Sequence, residues 1–160
     1  MFLAPWGAIV ASPSVRRIGV LAGTAFLAIG LIQVAVVMLP MQLGVPEWEL
    51  AAFGELSGSF GPAAIGVAIL SGFALSGRGI GLAAAAAMGG AIFLGVVALL
   101  GLLMIGLNLP VVWQVTAAEV PGAVEFRMAV AKILLLTAVY LVLFFTQTFM
   151  LISARNRQNG

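Results

Sequence analysis

Histidine, cysteine and aspartate are absent from this sequence of 160 residues, and only 8% of the residues are charged. The chain therefore lacks the imidazole and thiolate groups that zinc sites, iron–sulfur clusters and histidine-ligated haem use, and it has no thiol chemistry. Glutamate is the only acidic residue type. These absences argue against an independent redox centre. We expect no cofactor bound by ligands of the chain itself and no catalysis by this chain alone.

The chain also lacks a basic cluster. Its pI is near 10.0, but its net charge is only +2 and no more than two basic residues are neighbours. Proteins that bind nucleic acids carry a basic patch or stripe along one surface. We therefore expect no nucleic-acid partner.

Hydrophobic residues make up 63% of the chain, and the mean hydropathy is +1.23, far above that of a soluble domain. A membrane-spanning helix needs about 20 apolar residues, and the charge-free intervals provide four such stretches. The predicted fold class is an all-α integral membrane protein, an antiparallel bundle of four transmembrane helices in a single domain covering residues 1–160. The predicted spans are approximately 18–39, 50–76, 81–107 and 124–153.

Prolines mark several of these limits. Pro40 follows the first span and Pro110 follows the third. The segment "PEWE" places Pro46 and acidic residues where a first helical turn favours them, so the second helix can begin as early as Pro46. The short link "SGRG" between the second and third spans predicts a tight hairpin.

The distribution of charge predicts the orientation. Five of the six arginines lie in the N-terminal segment, the second loop and the C-terminal segment, namely Arg16, Arg17, Arg78, Arg155 and Arg157, whereas all five glutamates lie in or beside the other two loops. The positive-inside rule then places both termini in the cytoplasm. Arg78 in the second loop and Trp48 and Trp113 on the opposite side are the predicted membrane anchors. Residues 1–14 are either an interfacial helix or a disordered tail.

Small residues recur at helical spacing on two of the predicted spans. Gly19 and Gly23 share one face of the first, and Ala85 with Gly89 and Ala86 with Gly90 share faces of the third. Because helices in lipid associate through close packing, these faces are predicted contacts between helices. They provide more small-residue surface than one small bundle needs, which favours partners that are other integral membrane subunits, and a hetero-oligomer over a monomer.

Three polar residues fall within the predicted spans on the side of the glutamates: Gln33, Glu55 and Lys132. Lys132 can extend its side chain to the headgroups, which requires no site at all. Alternatively, Lys132 and Glu55 form a buried ion pair with Gln33 completing its hydrogen bonds, a cluster suited to a quinone headgroup or to locking three helices together. On the same helix as Lys132, Tyr140 and Gln147 are predicted to face inward and to form interhelical hydrogen bonds.

Three segments together resemble the DoxX-like family of small four-helix bacterial membrane proteins: "FLAIGLIQV" (26–34), "LGVPEWELAAFGELSGSFG" (43–61) and "SGRGIGLAAAAAMGGAI" (76–92). The positions that carry the resemblance are Gly30, Gly44, Pro46, Glu55, Arg78 and Met88. Gln33 stands where the family has a lysine, and the histidines of several relatives are absent. The resemblance implies a bacterial inner membrane location and membership of an assembly for thiosulfate and quinone oxidoreduction or a terminal quinol oxidase complex.

The sequence therefore predicts a small non-catalytic accessory subunit of a larger membrane electron-transfer complex, which contacts quinone or lipid at an interface. A small oligomeric transporter or channel is the alternative, although it would need ionisable groups along a path across the membrane. An enzyme that acts alone on a lipid or a quinone is a third possibility, and its chemistry would rest on Glu55, Glu119 or Tyr140.

Overall fold

The computed structural model describes residues 13–39, 41–75, 81–117 and 123–159, and within these ranges it contains four α-helices and no strand. The helices are α1 (Pro13–Val37), α2 (Pro46–Phe73), α3 (Gly81–Ala117) and α4 (Ala123–Asn159). All four are long and apolar enough to cross a membrane, as expected for a multi-pass membrane protein. Arg78, Glu119 and nearly all of the predicted interfacial segment 1–14 lie outside the described residues.

The helix α2 begins at Pro46, at the earlier of the two predicted limits. Val45 precedes it in an extended conformation, and the backbone N–H of Glu49 donates to the carbonyl of Val45 over 3.0 Å. Proline suits this first position because an N–H group there would have no acceptor within the helix, so its absence costs no hydrogen bond. The chain enters α2 through Gly44, whose φ of +88° is a backbone conformation that favours glycine.

The helix α3 differs most from its predicted span, because it continues through Pro110 to Ala117 instead of ending near residue 107. Pro110 has no N–H, so it leaves one carbonyl, that of Gly106, without its helical donor. Long membrane helices tolerate proline when the freed carbonyl can be satisfied locally.

The helices α3 and α4 each contain 37 residues and are roughly 55 Å long, whereas the hydrocarbon core of a bilayer is about 30 Å thick. Both helices therefore extend past the hydrocarbon core. In α4 the extension beyond residue 153 carries the polar sequence "ARNRQN", which suits headgroups and water.

The helix α2 is central in the bundle, since it packs against the other three helices, whereas α1 and α4 do not contact each other in the described residues. Half of the most apolar stretch of α2 is buried, against 17% of that of α4. The helix α3 lies on one side of α2 and packs mainly against α2 and α4. One face of α2 is thus left open between α1 and α4.

The closest helix packing joins α1 to α2 through glycines. A methyl group on Gly30 would lie 2.6 Å from the backbone nitrogen of Ala63, and one on Gly66 would lie 2.7 Å from the carbonyl oxygen of Gly23. Gly19, at the start of α1, lies against Phe73 at the end of α2. Such direct backbone contact is possible only where side chains are absent, and it maximises dispersion contacts in lipid.

An aromatic cluster fills the interface between α2 and α4. The ring of Phe60 packs edge-on against Tyr140 at 5.5 Å and against Phe144 at 6.0 Å between centroids. Tyr140 and Phe144 stack on each other at 6.2 Å. Phe60 and Phe144 are fully buried, so this cluster and the neighbouring Leu56 close the middle of the bundle with apolar atoms.

Candidate functional site

A shallow, open groove lies between α1 and α2, and we call it the α1–α2 groove. Its volume is about 320 Å³, and it is lined by Ile32, Gln33, Val36, Val37, Glu55, Gly58 and Ser59. The structure therefore brings Gln33 and Glu55 together, and both residues are exposed at the surface of the bundle.

A proline one turn further along α2 adds an acceptor to this groove. Pro62 lies inside the helix and has no N–H, so the carbonyl of Gly58 lacks its usual helical hydrogen bond. The hydroxyl of Ser59 donates to the carbonyl of Glu55 over 3.1 Å, so its proton is already engaged within the helix. The carboxylate of Glu55, the amide oxygen of Gln33 and the carbonyl of Gly58 give the α1–α2 groove the character of a site for a hydrogen-bond donor.

Lys132 lies at the same level of the bundle but outside the α1–α2 groove. A methyl group on Gly54 of α2 would lie 3.3 Å from Cδ1 of Ile133, so these parts of α2 and α4 face each other. Lys132 is exposed, and in the described structure no ion pair joins it to Glu55. The buried ion pair considered from the sequence is not formed, because α2 turns Glu55 toward α1 and both charged groups lie on the surface.

A buried carboxylate that sequence reasoning missed closes one end of the bundle. Glu49 is 6% exposed, and its Oε1 accepts a hydrogen bond of 2.8 Å from the backbone N–H of Gly44. Its Oε2 accepts a hydrogen bond of 2.5 Å from Nδ2 of Asn108, which also donates to the carbonyl of Met104 over 3.0 Å. Both carboxylate oxygens thus have donors, and the negative charge lies in the first turn of α2, where the helix dipole favours it.

This Glu49–Asn108 contact fixes three pieces of the bundle relative to one another: the loop before α2, the start of α2 and the far half of α3. Asn108 is an isolated polar residue within the apolar run "LLMIGLNLPVV". This isolated position could have indicated from the sequence that Asn108 is a candidate site residue. The partner could not be inferred, because the two residues are 59 positions apart and the predicted third span ended before Asn108.

The predicted packing residues fall into two groups. Gly19, Gly23 and Gly90 lie at contacts between helices, where added methyl groups would meet Phe73, Leu70 and Leu27, respectively. By contrast, a methyl group on Gly89 would meet nothing within 4 Å, and Ala85 is exposed. Ala85 and Gly89 instead line a largely apolar cavity of about 510 Å³ that also touches Arg155 and the end of α2.

Of the predicted anchors, the structure describes the two tryptophans. Trp48 is half-buried near the start of α2, and Trp113 is 65% exposed near the end of α3. The guanidinium of Arg127, on α4, lies 5.4 Å from the centroid of the Trp113 ring, a cation–π contact that joins α3 to α4.

The two polar residues predicted to face inward on α4 are indeed turned toward the bundle. Tyr140 is half-buried in the aromatic cluster, and Gln147 is 8% exposed. The expected hydrogen bond is not seen for Oε1 of Gln147, which is buried without a donor in the part of the chain that the structure describes. No group of three or more acidic residues that could hold a metal ion is present among the described residues.

Comparisons with protein-family models, with curated proteins and with solved structures find no match to this chain.

Proposed function

We propose that this protein is a small non-catalytic accessory subunit of a larger membrane electron-transfer complex, respiratory or otherwise linked to quinone, and that it acts by packing against partner helices. It is an antiparallel bundle with both termini in the cytoplasm, in the inner membrane of a bacterium. The resemblance to the DoxX-like family and the positions of the arginines support this assignment.

One observation carries the proposal: Gln33, Glu55 and Lys132 face outward, whereas the middle of the bundle is filled by apolar and aromatic side chains. Charged groups on the lipid-facing surface of a membrane helix are costly, and they are usually turned toward protein or water. Their outward position therefore favours lateral assembly with other protein. The same observation counts against a channel through the bundle, which would place ionisable groups inside.

Contact with quinone or lipid at an interface belongs to the same proposal. The cavity beside Ala85, Gly89 and Arg155 has the volume of a small-molecule site, and Arg155 is the one residue of its lining with a charged or polar side chain. An amphipathic molecule with an apolar tail and a polar or anionic head fits this chemistry. Extraction of the purified protein with organic solvent, followed by mass spectrometry, would identify a retained quinone or lipid.

The proposal is tested by purifying the protein in mild detergent from its own membranes, with identification of the co-eluting proteins and a visible absorption spectrum of the intact particle. We expect the chain to elute with larger subunits that carry haem or another redox group. A colourless particle that contains only this chain would contradict the accessory role and would make an oligomeric transporter the better explanation.

A further inference from the structure

We propose that the α1–α2 groove is a self-association site, which receives the ammonium group of Lys132 from a second copy of this chain. This inference goes beyond the proposed function, which concerns other subunits and does not require the protein to contact itself. It rests on three properties of the exposed polar groups: the side of the bundle that each one faces, its depth along the bundle and its charge.

Helix geometry places Gln33 and Glu55 on the side of the bundle that faces away from α3. Leu27 of α1 and Val67 of α2 both face Gly90 of α3. At about 100° per residue, Gln33 lies roughly 120° around α1 from Leu27, and Glu55 lies roughly 120° around α2 from Val67. Both side chains therefore point toward the open face of α2.

The same rotation of about 100° per residue gives the side of α4 on which Lys132 lies. On α4 it lies roughly 80° from Tyr140, which contacts Phe60 of α2, and roughly 120° from Phe144, which faces Gly95 of α3. Lys132 thus flanks the open face of α2 on the side of α4, while the α1–α2 groove flanks it on the side of α1.

Glu55 and Lys132 lie at the same depth along the bundle. Glu55 lies nine residues after Pro46, the first residue of α2, and Lys132 lies nine residues after Ala123, the first residue of α4. In a membrane all copies of a chain share one orientation, so Lys132 of one copy meets Glu55 of another at the same depth. A two-fold axis along the membrane normal would form the contact twice.

An ammonium group fits the α1–α2 groove both by charge and by hydrogen bonding. An ammonium group has three donors and no acceptor, and the α1–α2 groove offers Glu55, Gln33 and the carbonyl of Gly58, which Pro62 leaves free. The open face of α2 also carries small exposed residues, Ala51 and Gly72 among them, which allow a second helix to approach closely. Within the described residues, neither Lys132 nor Glu55 has a side-chain partner of its own.

Cysteine crosslinking tests this contact directly, since the chain has no cysteine of its own. Two differently tagged full-length chains, one carrying Glu55→Cys and the other Lys132→Cys, would be co-expressed and oxidised in the membrane. We expect a mixed dimer at several times the yield obtained when Glu55→Cys is combined with Leu103→Cys. Leu103 is the matched control because it is exposed on α3, on the opposite side, close to the level at which Gly101 faces Phe53.

A charge exchange tests whether the ion pair, and not only proximity, holds the two copies. In the otherwise native chain, Lys132→Met should weaken dimerisation about tenfold, which corresponds to ~1.4 kcal/mol. The double variant Glu55→Lys with Lys132→Glu should restore it, and elution as a single symmetrical peak shows that each variant is folded.

Three outcomes would overturn the inference: equal crosslinking with Leu103→Cys, no restoration of dimerisation by Glu55→Lys with Lys132→Glu, or a crosslink from Glu55→Cys to a different subunit in the native membrane. The first two outcomes do not bear on co-purification with redox subunits, and the third would support it, so failure of the self-association site and failure of the accessory role are distinguishable.

Discussion

Replacement of Gly66 by alanine is the most direct test of the α1–α2 packing. The new methyl group would clash with the backbone nitrogen of Leu27 and would lie 2.7 Å from the carbonyl oxygen of Gly23 and 2.8 Å from Cα of Leu27, whereas ordinary contacts begin at 3.4 Å. The two helices must separate by at least about 0.7 Å (3.4 − 2.7), because all three clashing atoms belong to a helix backbone and cannot rotate away. A gap of 0.5–1 Å forfeits roughly a quarter to a half of the dispersion energy of each contact that it opens.

We therefore expect Gly66→Ala to lower the free energy of unfolding by about 1–3 kcal/mol, the usual cost of overpacking. Alanine favours the helix over glycine by roughly 0.5–1 kcal/mol, and this gain offsets only part of the cost. Gly106→Ala is the matched control, since its methyl group would meet no atom within 4 Å and the same helix preference applies.

The assay is unfolding of the detergent-solubilised protein by titration with a denaturing detergent, followed by the loss of helical circular dichroism. Gly106→Ala should be neutral or slightly stabilising, and Gly66→Ala should unfold at a clearly lower denaturant fraction. If Gly66→Ala were as stable as Gly106→Ala, α1 would not pack backbone to backbone on α2.

Three further substitutions probe the rest of the bundle by the same assay. Asn108→Leu removes the donor to Oε2 of Glu49 and should cost about 1–3 kcal/mol, whereas an unchanged midpoint would show that the carboxylate is satisfied in another way. Phe144→Ala empties a fully buried site and should cost about 3–5 kcal/mol, so a smaller effect would mean that α4 packs loosely. Tyr140→Phe should change stability by less than about 1 kcal/mol, because its ring contact with Phe60 is kept, and a larger loss would reveal a partner for the hydroxyl.

The four spans could be predicted from composition because their charge-free intervals are as long as a bilayer requires. Their ends were less predictable, since Pro110 usually ends a helix but here lies within α3. A proline inside a helix leaves the carbonyl four residues earlier, here that of Gly106, without its helical donor, and a sequence pattern does not reveal whether such a carbonyl can be satisfied locally.

The direction that each side chain faces was harder still to predict. In a soluble bundle the buried and exposed faces differ in polarity, whereas in lipid both faces are apolar: Leu27 is 6% exposed and Ile32, five positions later, is 63% exposed. Periodicity therefore could not show that Glu55 and Lys132 face outward. The pairing of Glu49 with Asn108 was equally hidden, because it depends on how two distant helices pack.

The packing of α1 on α2 and the α1–α2 groove are parts of one arrangement. Gly30 allows α1 to approach the backbone of Ala63, and Gln33 follows one turn later on the flank of the same contact. A larger residue at position 30 would move α1 outward and would separate Gln33 from Glu55. The glycine contact that stabilises the bundle is thus also what places an amide and a carboxylate side by side on its surface, so stability and assembly depend on the same helix pair.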